Sequence, residues 1–222
     1  MDWNEPKNLG YDQDPIDHHR ISWRAIRERK VNPQYTQFLK LLALKDVEED
    51  EIPEEVGWVK DDSEEKPYTV KGLKPAEEYK IEVQAHSDGG YGVTSHTVSH
   101  TSATSVPSTP GQPIFMTSTS TSVTISWLPP KFENGEPVKS YQISRQIVLN
   151  NDKNKKSGSD VDGSAGEAQW VSYMCSGGRP VYTTVGIPNN GFVMMKVKAK
   201  NANGFSEMGA IGGPFQALDP VR

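Results

Sequence analysis

The chain contains two copies of one sequence unit. The segment YTVKGLKPAEEYKIEVQAHSDGGYG, which begins at Tyr68, aligns without a gap with YTTVGIPNNGFVMMKVKAKNANGFS, which begins at Tyr182, at an offset of 114 residues. Upstream, the residues that follow Trp3 align with those that follow Trp127, with a small gap in one loop. This self-similarity within 222 residues predicts two tandem domains of the same fold.

Each copy is patterned as β-strands. Tyr79, Ile81, Val83 and Ala85 alternate with polar residues, and residues 193–199 repeat the alternation in the second copy. A period of two predicts strands with one buried face. Asn-Gly and Asp-Gly pairs separate the apolar runs, as they do in antiparallel hairpins. The pattern therefore predicts an all-β chain built as sandwiches or barrels.

Motifs in both copies resemble those of the fibronectin type III family. They are Trp127-x-Pro129-Pro130, Asn134-Gly135 and Val138-x-x-Tyr141-x-Ile143 in the second copy, and Leu73-x-Pro75-x-x-x-Tyr79-x-Ile81-x-Val83-x-Ala85 with Gly90-x-Gly92 in the first. The resemblance implies two tandem immunoglobulin-like β-sandwiches, at 1–103 and 110–222, joined by a linker at 104–109. Pro107 in that linker and Pro110 directly after it predict a semi-rigid connection.

Four aromatic residues are expected in the structural core, namely Trp3, Tyr79, Trp127 and Tyr141. A large aromatic side chain fills the space between two sheets and buries much apolar area. Tyr79 stands near the start of a strand, where its hydroxyl can bond to the backbone of the preceding turn as a tyrosine corner. Val193 holds the matching position of the second copy, which we therefore expect to have no such bond.

The first copy is predicted to have no A and B strands. Residues 110–126 precede Trp127 and are expected to form these strands in the second copy, whereas only Met1 and Asp2 precede Trp3. Three explanations are open: the chain is a fragment, its start is misplaced, or a partner donates the missing strands.

An insertion at about 32–65 separates the first copy from the family pattern. Asn32 and Pro33 form a typical helix start, and an apolar stripe follows at Tyr35, Phe38, Leu39 and Leu42. Such a helix either covers the open edge of its own module or offers its apolar face to a partner.

Residues 46–65 carry 11 acidic residues and one basic residue, and they include Glu48, Glu49, Asp50 and Glu51. This run is either a solvated loop or a docking strip for a basic protein surface.

A second insertion, at about 150–167, is rich in Lys, Asn, Gly and Ser, and this composition predicts a flexible loop.

No combination of residues predicts catalysis, so the chain is not expected to be an enzyme. Cys175 has no histidine near it in sequence, and phosphate-loop and nucleotide-binding motifs are absent. Asp12, Asp14, Asp17, His18 and His19 could gather around a metal ion, but we interpret them as loop and strand residues. We therefore expect no metal and no cofactor.

The predicted function is that of a non-enzymatic scaffold or protein-interaction module. A net charge of −5 argues against nucleic acid as a partner, and no apolar run is long enough to enter a membrane. With one cysteine, no leader and no glycosylation sequon, the expected setting is cytoplasmic, in a cytoskeletal, sarcomeric or ciliary assembly. The alternatives are a piece of an extracellular adhesion or receptor ectodomain, and a non-catalytic appendage of an enzyme.

Overall fold

A computed structural model describes residues 15–27, 30–41, 56–61, 68–148 and 169–219. By its contacts the chain divides into two compact units. The first unit comprises Met1–Lys30 and Glu48–Thr104, and the second comprises Val31–Val47 and Ser105–Arg222.

The first unit is built around one antiparallel sheet. Its strands are β1 (His18–Arg27), β2 (Val56–Asp61), β3 (Glu78–Ser87), β4 (Gly90–Tyr91) and β5 (Val98–Thr101). β1 lies between β2 and β3, and both β4 and β5 pair with the other edge of β3. Residues 1–14, which include Trp3 and precede β1, lie outside the described residues, so the predicted absence of strands A and B stays a prediction.

One face of this sheet forms the core of the first unit. Ile21, Tyr79, Ile81 and Val83 are buried, and further apolar residues pack against them, namely Trp23, Ala25, Tyr68, Val70 and Leu73. The alternation read from the sequence therefore matches the burial along β3, where these buried residues are separated by half-buried polar ones.

The second unit has two antiparallel sheets. Its strands are β6 (Ile114–Thr119), β7 (Ser122–Ser126), β8 (Ser140–Val148), β9 (Val171–Ser176), β10 (Val181–Val185), β11 (Phe192–Asn201), β12 (Gly204–Phe205) and β13 (Gly212–Gln216). The first sheet has the order β10-β7-β6. In the second, β8 lies between β9 and β11, and both β12 and β13 pair with β11. This is the predicted sandwich, and the all-β fold class is confirmed.

The core of the second unit is centred on Trp127. Its side chain is fully buried and meets the equally buried Tyr141 ring edge to face, with the ring centres 5.0 Å apart. Val193, Met195 and Val197 of β11 complete one side of the core. Burial also raises the pKa of the Tyr141 phenol.

The two units pair their central strands in the same register. Ile21 lies opposite Val83 in the first unit, and Ile143 lies opposite Val197 in the second. The sequence alignment of the copies matches these same residues, so the predicted repeat is confirmed in the strand pairing.

A tyrosine corner fixes the entry to β3. The Lys74 N–H donates to Tyr79 Oη over 2.9 Å, and the Tyr79 hydroxyl donates to Glu77 Oε2 over 2.7 Å. Tyr79 and Glu77 are both buried. In the second unit Val193 holds the corresponding place and has no hydroxyl, as predicted.

Asn201 connects three loops of the second unit. Its buried side-chain amide reaches the carbonyl oxygens of Ser105, Glu133 and Glu136 over 2.8, 3.1 and 3.4 Å. Its Oδ1 accepts a hydrogen bond from the Asn203 N–H over 2.9 Å. A single side chain thus joins the backbone of residues 105, 133 and 136 to the end of β11.

We expect Tyr79→Phe to lower the free energy of unfolding of the first unit by about 2 kcal/mol, because the Glu77 carboxylate loses its buried donor. Ser99→Ala removes an exposed hydroxyl of β5 in the same unit and should change stability by less than about 0.5 kcal/mol. Urea denaturation of both variants measures the difference. An equal change in the free energy of unfolding for both variants would contradict a stabilising role of the tyrosine corner.

We expect Asn201→Ala to destabilise the second unit by about 3 kcal/mol, because the four hydrogen bonds of its buried side chain are lost at once. The exposed Asn203 provides the control, since Asn203→Ala removes one hydrogen bond to the Ser105 carbonyl oxygen and leaves the amide of Asn201 in place. Thermal unfolding followed by circular dichroism separates the two. A loss below about 0.5 kcal/mol for Asn201→Ala would show that the loops hold without it.

Candidate functional surfaces

Helix α1 (Pro33–Leu41) begins where the sequence predicts it. Asn32 Oδ1 accepts a hydrogen bond from the Gln34 N–H over 2.9 Å, which is the N-cap arrangement. Asn32 is buried, and its own N–H donates to the carbonyl oxygen of Lys131 over 2.8 Å. Val31 forms an isolated β-bridge with Phe132. The start of α1 is therefore fastened to the loop before β8.

The apolar stripe of α1 is half-buried. Tyr35, Phe38 and Leu39 are of intermediate exposure, no residue of the helix is buried, and Leu41 is 79% exposed. Leu42, Glu48, Glu49, Asp50 and Glu51 lie outside the described residues, so the structure places only part of the predicted binding surface.

The segment that carries α1 belongs to the second unit, although it is inserted between strands of the first. The division between Thr104 and Ser105 lies inside the predicted linker at 104–109. The interpretation that the helix covers the edge of its own module does not foresee that α1 groups with the second unit. The backbone contacts of residues 31 and 32 with residues 131 and 132 account for this grouping. Nothing in the local sequence of the insertion predicts contacts at that separation.

Most of the predicted linker is also part of the second unit. The Ser105 N–H donates to the carbonyl oxygen of Asn134 over 3.0 Å, and the Ser108 N–H donates to that of Phe132 over 2.9 Å. Pro107 is buried. Residues 105–108 therefore run along the loop before β8 as bonded backbone.

A polar cluster lies at the start of β1, on the opposite side of the sheet from the core. Asp17 Oδ1 is 2.8 Å from His18 Nδ1 and 2.9 Å from His86 Nδ1. The two imidazole rings stack with their centres 4.3 Å apart. The hydrogen bond from His86 is the main cause that lowers the pKa of the Asp17 carboxyl below its ordinary value.

Tyr91 closes this cluster. Its hydroxyl lies 3.3 Å from His18 Nε2, and its ring meets both imidazoles edge on, with centres 5.8 Å from that of His18 and 4.7 Å from that of His86. The Arg20 guanidinium lies 5.7 Å from the centre of the Tyr91 ring. Asp17, His18, His86 and Tyr91 are called the histidine cluster below.

Sequence reasoning found only half of the histidine cluster. It grouped Asp17 and His18 with His19, but His19 lies on the core face, opposite Ala85. Asp12 and Asp14 lie outside the described residues. His86 was not predicted to belong to the cluster. The repeat alignment could have predicted it, because the shared register of the central strands places His86 opposite His18.

Cys175 lies among backbone acceptors. Its thiol is half-buried and 3.9 Å from the carbonyl oxygens of both Ser176 and Val181, neither of which is a base.

Within the described ranges no helix is long and apolar enough to cross a bilayer.

Comparison with known proteins finds a domain family that matches the first part of the chain. The family model of the fibronectin type III domain matches residues 1–101. A receptor-type tyrosine-protein phosphatase F from Danio rerio is 33% identical over 114 residues, which are 48% of this chain and 6% of that protein. The chain therefore spans a small part of the length of this relative.

Two solved structures overlap part of the chain at low similarity. A crystal structure of titin domains overlaps with a TM-score of 0.41 at 16% identity, over 65% of this chain and 41% of that one. The FN1–FN3 domains of chicken CNTN1 overlap with a TM-score of 0.36 at 16% identity, over 91% of this chain and 56% of that one.

We expect His86→Gln to raise the pKa of Asp17 toward its ordinary value, because His86 supplies the largest stabilisation of the carboxylate. A lowered pKa favours the fold above the pKa of the unfolded chain, and this contribution is lost as the pH falls through the folded value. Carbon-13 NMR titration measures the pKa, with His96→Gln as control. An unchanged pKa of Asp17 in His86→Gln would contradict the assignment of His86 as the main cause of the lowered pKa.

Proposed function

Because residues 1–101 match the fibronectin type III domain, we propose that the chain is a non-catalytic, protein-binding region of an extracellular receptor or adhesion protein. The observation that carries the proposal is the family match over residues 1–101, together with relatives that are receptor-type proteins. In this proposal the two units hold surfaces for other proteins, and any enzymatic activity belongs to other parts of such a protein.

The extracellular setting replaces the cytoplasmic setting expected from the sequence. That expectation rested partly on the single cysteine, and the relatives give it no support. The second unit shows why the cysteine count is a weak guide. Its two sheets enclose a continuous apolar core around Trp127, so that a sandwich of about 100 residues needs no cross-link to fold.

The binding surface that we propose is α1 with the acidic run that follows it. Tyr35, Phe38 and Leu39 expose part of their apolar surface, and Leu42 continues the stripe in the sequence. The charge of −10 over residues 46–65, which include Glu48, Glu49, Asp50 and Glu51, favours a protein surface with an apolar patch bordered by basic residues. Strand donation to the first unit by a partner stays a prediction.

The setting is tested on the native protein in intact cells. An antibody raised against this chain should label cells that have not been permeabilised, and brief protease treatment of those cells should remove the signal. Labelling only after permeabilisation would contradict the extracellular setting and return the proposal to the cytoplasm.

The surface is tested by Phe38→Asp, which we expect to weaken binding of the fluorescent chain to cells at least about tenfold, since a charge would then stand in the proposed apolar contact with the partner. Gln37→Asp adds the same charge at an exposed position of the helix and should bind like the parent. Flow cytometry measures binding, and far-UV circular dichroism checks the fold. Equal binding by both variants would exclude α1 as the contact surface.

A further inference from the structure

We propose that the first unit binds one divalent transition-metal ion through Asp17, His18 and His86. Their ligand atoms lie within 4.8 Å of one another, and Asp17 Oδ1 is 2.8 and 2.9 Å from the two Nδ1 atoms. Metal–nitrogen and metal–oxygen bonds of about 2.0–2.1 Å place the ligands about 2.9 Å apart at right angles and about 3.3 Å apart in a tetrahedron. Two ligand atoms at the 4.8 Å limit would have to approach by about 1–2 Å to share one ion, which rotation of these side chains can provide.

The ligand types select the ion. Two imidazole nitrogens and one carboxylate suit Zn²⁺, Cu²⁺ or Ni²⁺ and are poor ligands for Ca²⁺ or Mg²⁺, which prefer oxygen alone. The Asp17 and His86 side chains are 49% and 26% exposed, whereas His18 is 7% exposed. Solvent therefore reaches the site from the carboxylate side, and water can occupy the remaining coordination positions.

The surroundings of His18 hold it ready to bind an ion. Its Nε2 lies 3.3 Å from the Tyr91 hydroxyl, which can accept the Nε2–H and so leaves the lone pair of Nδ1 for a metal. Stacking on His86 and the edge-on contact with Tyr91 restrain the ring. Because both histidines lie on paired strands, the backbone fixes their separation.

Without a metal, the imidazole Nδ1–H groups donate to Asp17. When an ion binds Nδ1, each neutral ring carries its proton on Nε2 instead, which in His18 faces the Tyr91 hydroxyl. The nearby Arg20 guanidinium opposes the charge of a dication, so we infer an exchangeable site of moderate affinity.

The second unit provides a contrast built into the chain. At the positions that correspond to Asp17, His18 and His86 it has Lys139, Ser140 and Lys200, and Ser140 pairs with Lys200 as His18 pairs with His86. Lys200 Nζ instead lies 4.9 Å from the centre of the Phe205 ring. Protonated lysines do not ligate metals, so the described parts of the chain should bind one ion, in the first unit.

Titration calorimetry of the full chain with ZnCl₂ tests the proposal. We expect one saturable site, weakened about 100-fold by His86→Gln, comparably by Asp17→Asn, and about tenfold by Tyr91→Phe. The controls His96→Gln and His100→Gln remove histidines outside the histidine cluster and should bind like the parent. No uptake at about 100 μM of each component, or equal uptake by parent and Asp17→Asn, would overturn the proposal.

Electron paramagnetic resonance with Cu²⁺ gives a second readout that a change in folding does not imitate. The parent should show coupling to two imidazole nitrogens, and His86→Gln should show coupling to one. His86→Lys introduces the residue that the second unit has at the same strand position. It therefore serves as a second test if the glutamine variant does not fold. Two-nitrogen coupling in either variant would exclude His86 as a ligand.

Discussion

The antiparallel pairing of two central strands is the constraint on which the rest of each unit depends. β1 pairs with β3 in the first unit, and β8 pairs with β11 in the second, in the same register. Side chains alternate between the faces of a strand, so a shift by one residue would turn every apolar side chain from the core toward solvent. The tyrosine corner, the burial of Trp127 and the loop bonds of Asn201 all presuppose this register.

The same register also determines the chemistry of the outer face. Once Ile21 is opposite Val83, His18 must lie opposite His86, and the turn that follows β3 brings Tyr91 to the same end of the sheet. Core packing and the histidine cluster are thus two results of one pairing. They occupy opposite faces, so they use different side chains and can change independently.

Features that depend on local spacing could be predicted from the sequence. The alternation around Ile81 predicted a strand, Asn32 and Pro33 predicted the first turn of α1, and the place of Tyr79 predicted its corner bond. Features that depend on distant contacts could not. The bond between Asn32 and Lys131 joins residues about a hundred positions apart, and no local pattern encodes it. The setting in the cell was inferred from absences, which carry less information than contacts do.

The repeated register has a consequence for how a duplicated domain acquires new properties. Two copies with the same strand register have the same set of outward-facing positions. A substitution at one of these positions does not change the packing of the core. One copy fills these positions with imidazole and carboxylate, and the other fills them with lysine set over an aromatic ring. Duplication therefore provides a second set of exposed positions on a fold that is already stable. Substitutions at these positions can change ligand binding without changing the fold.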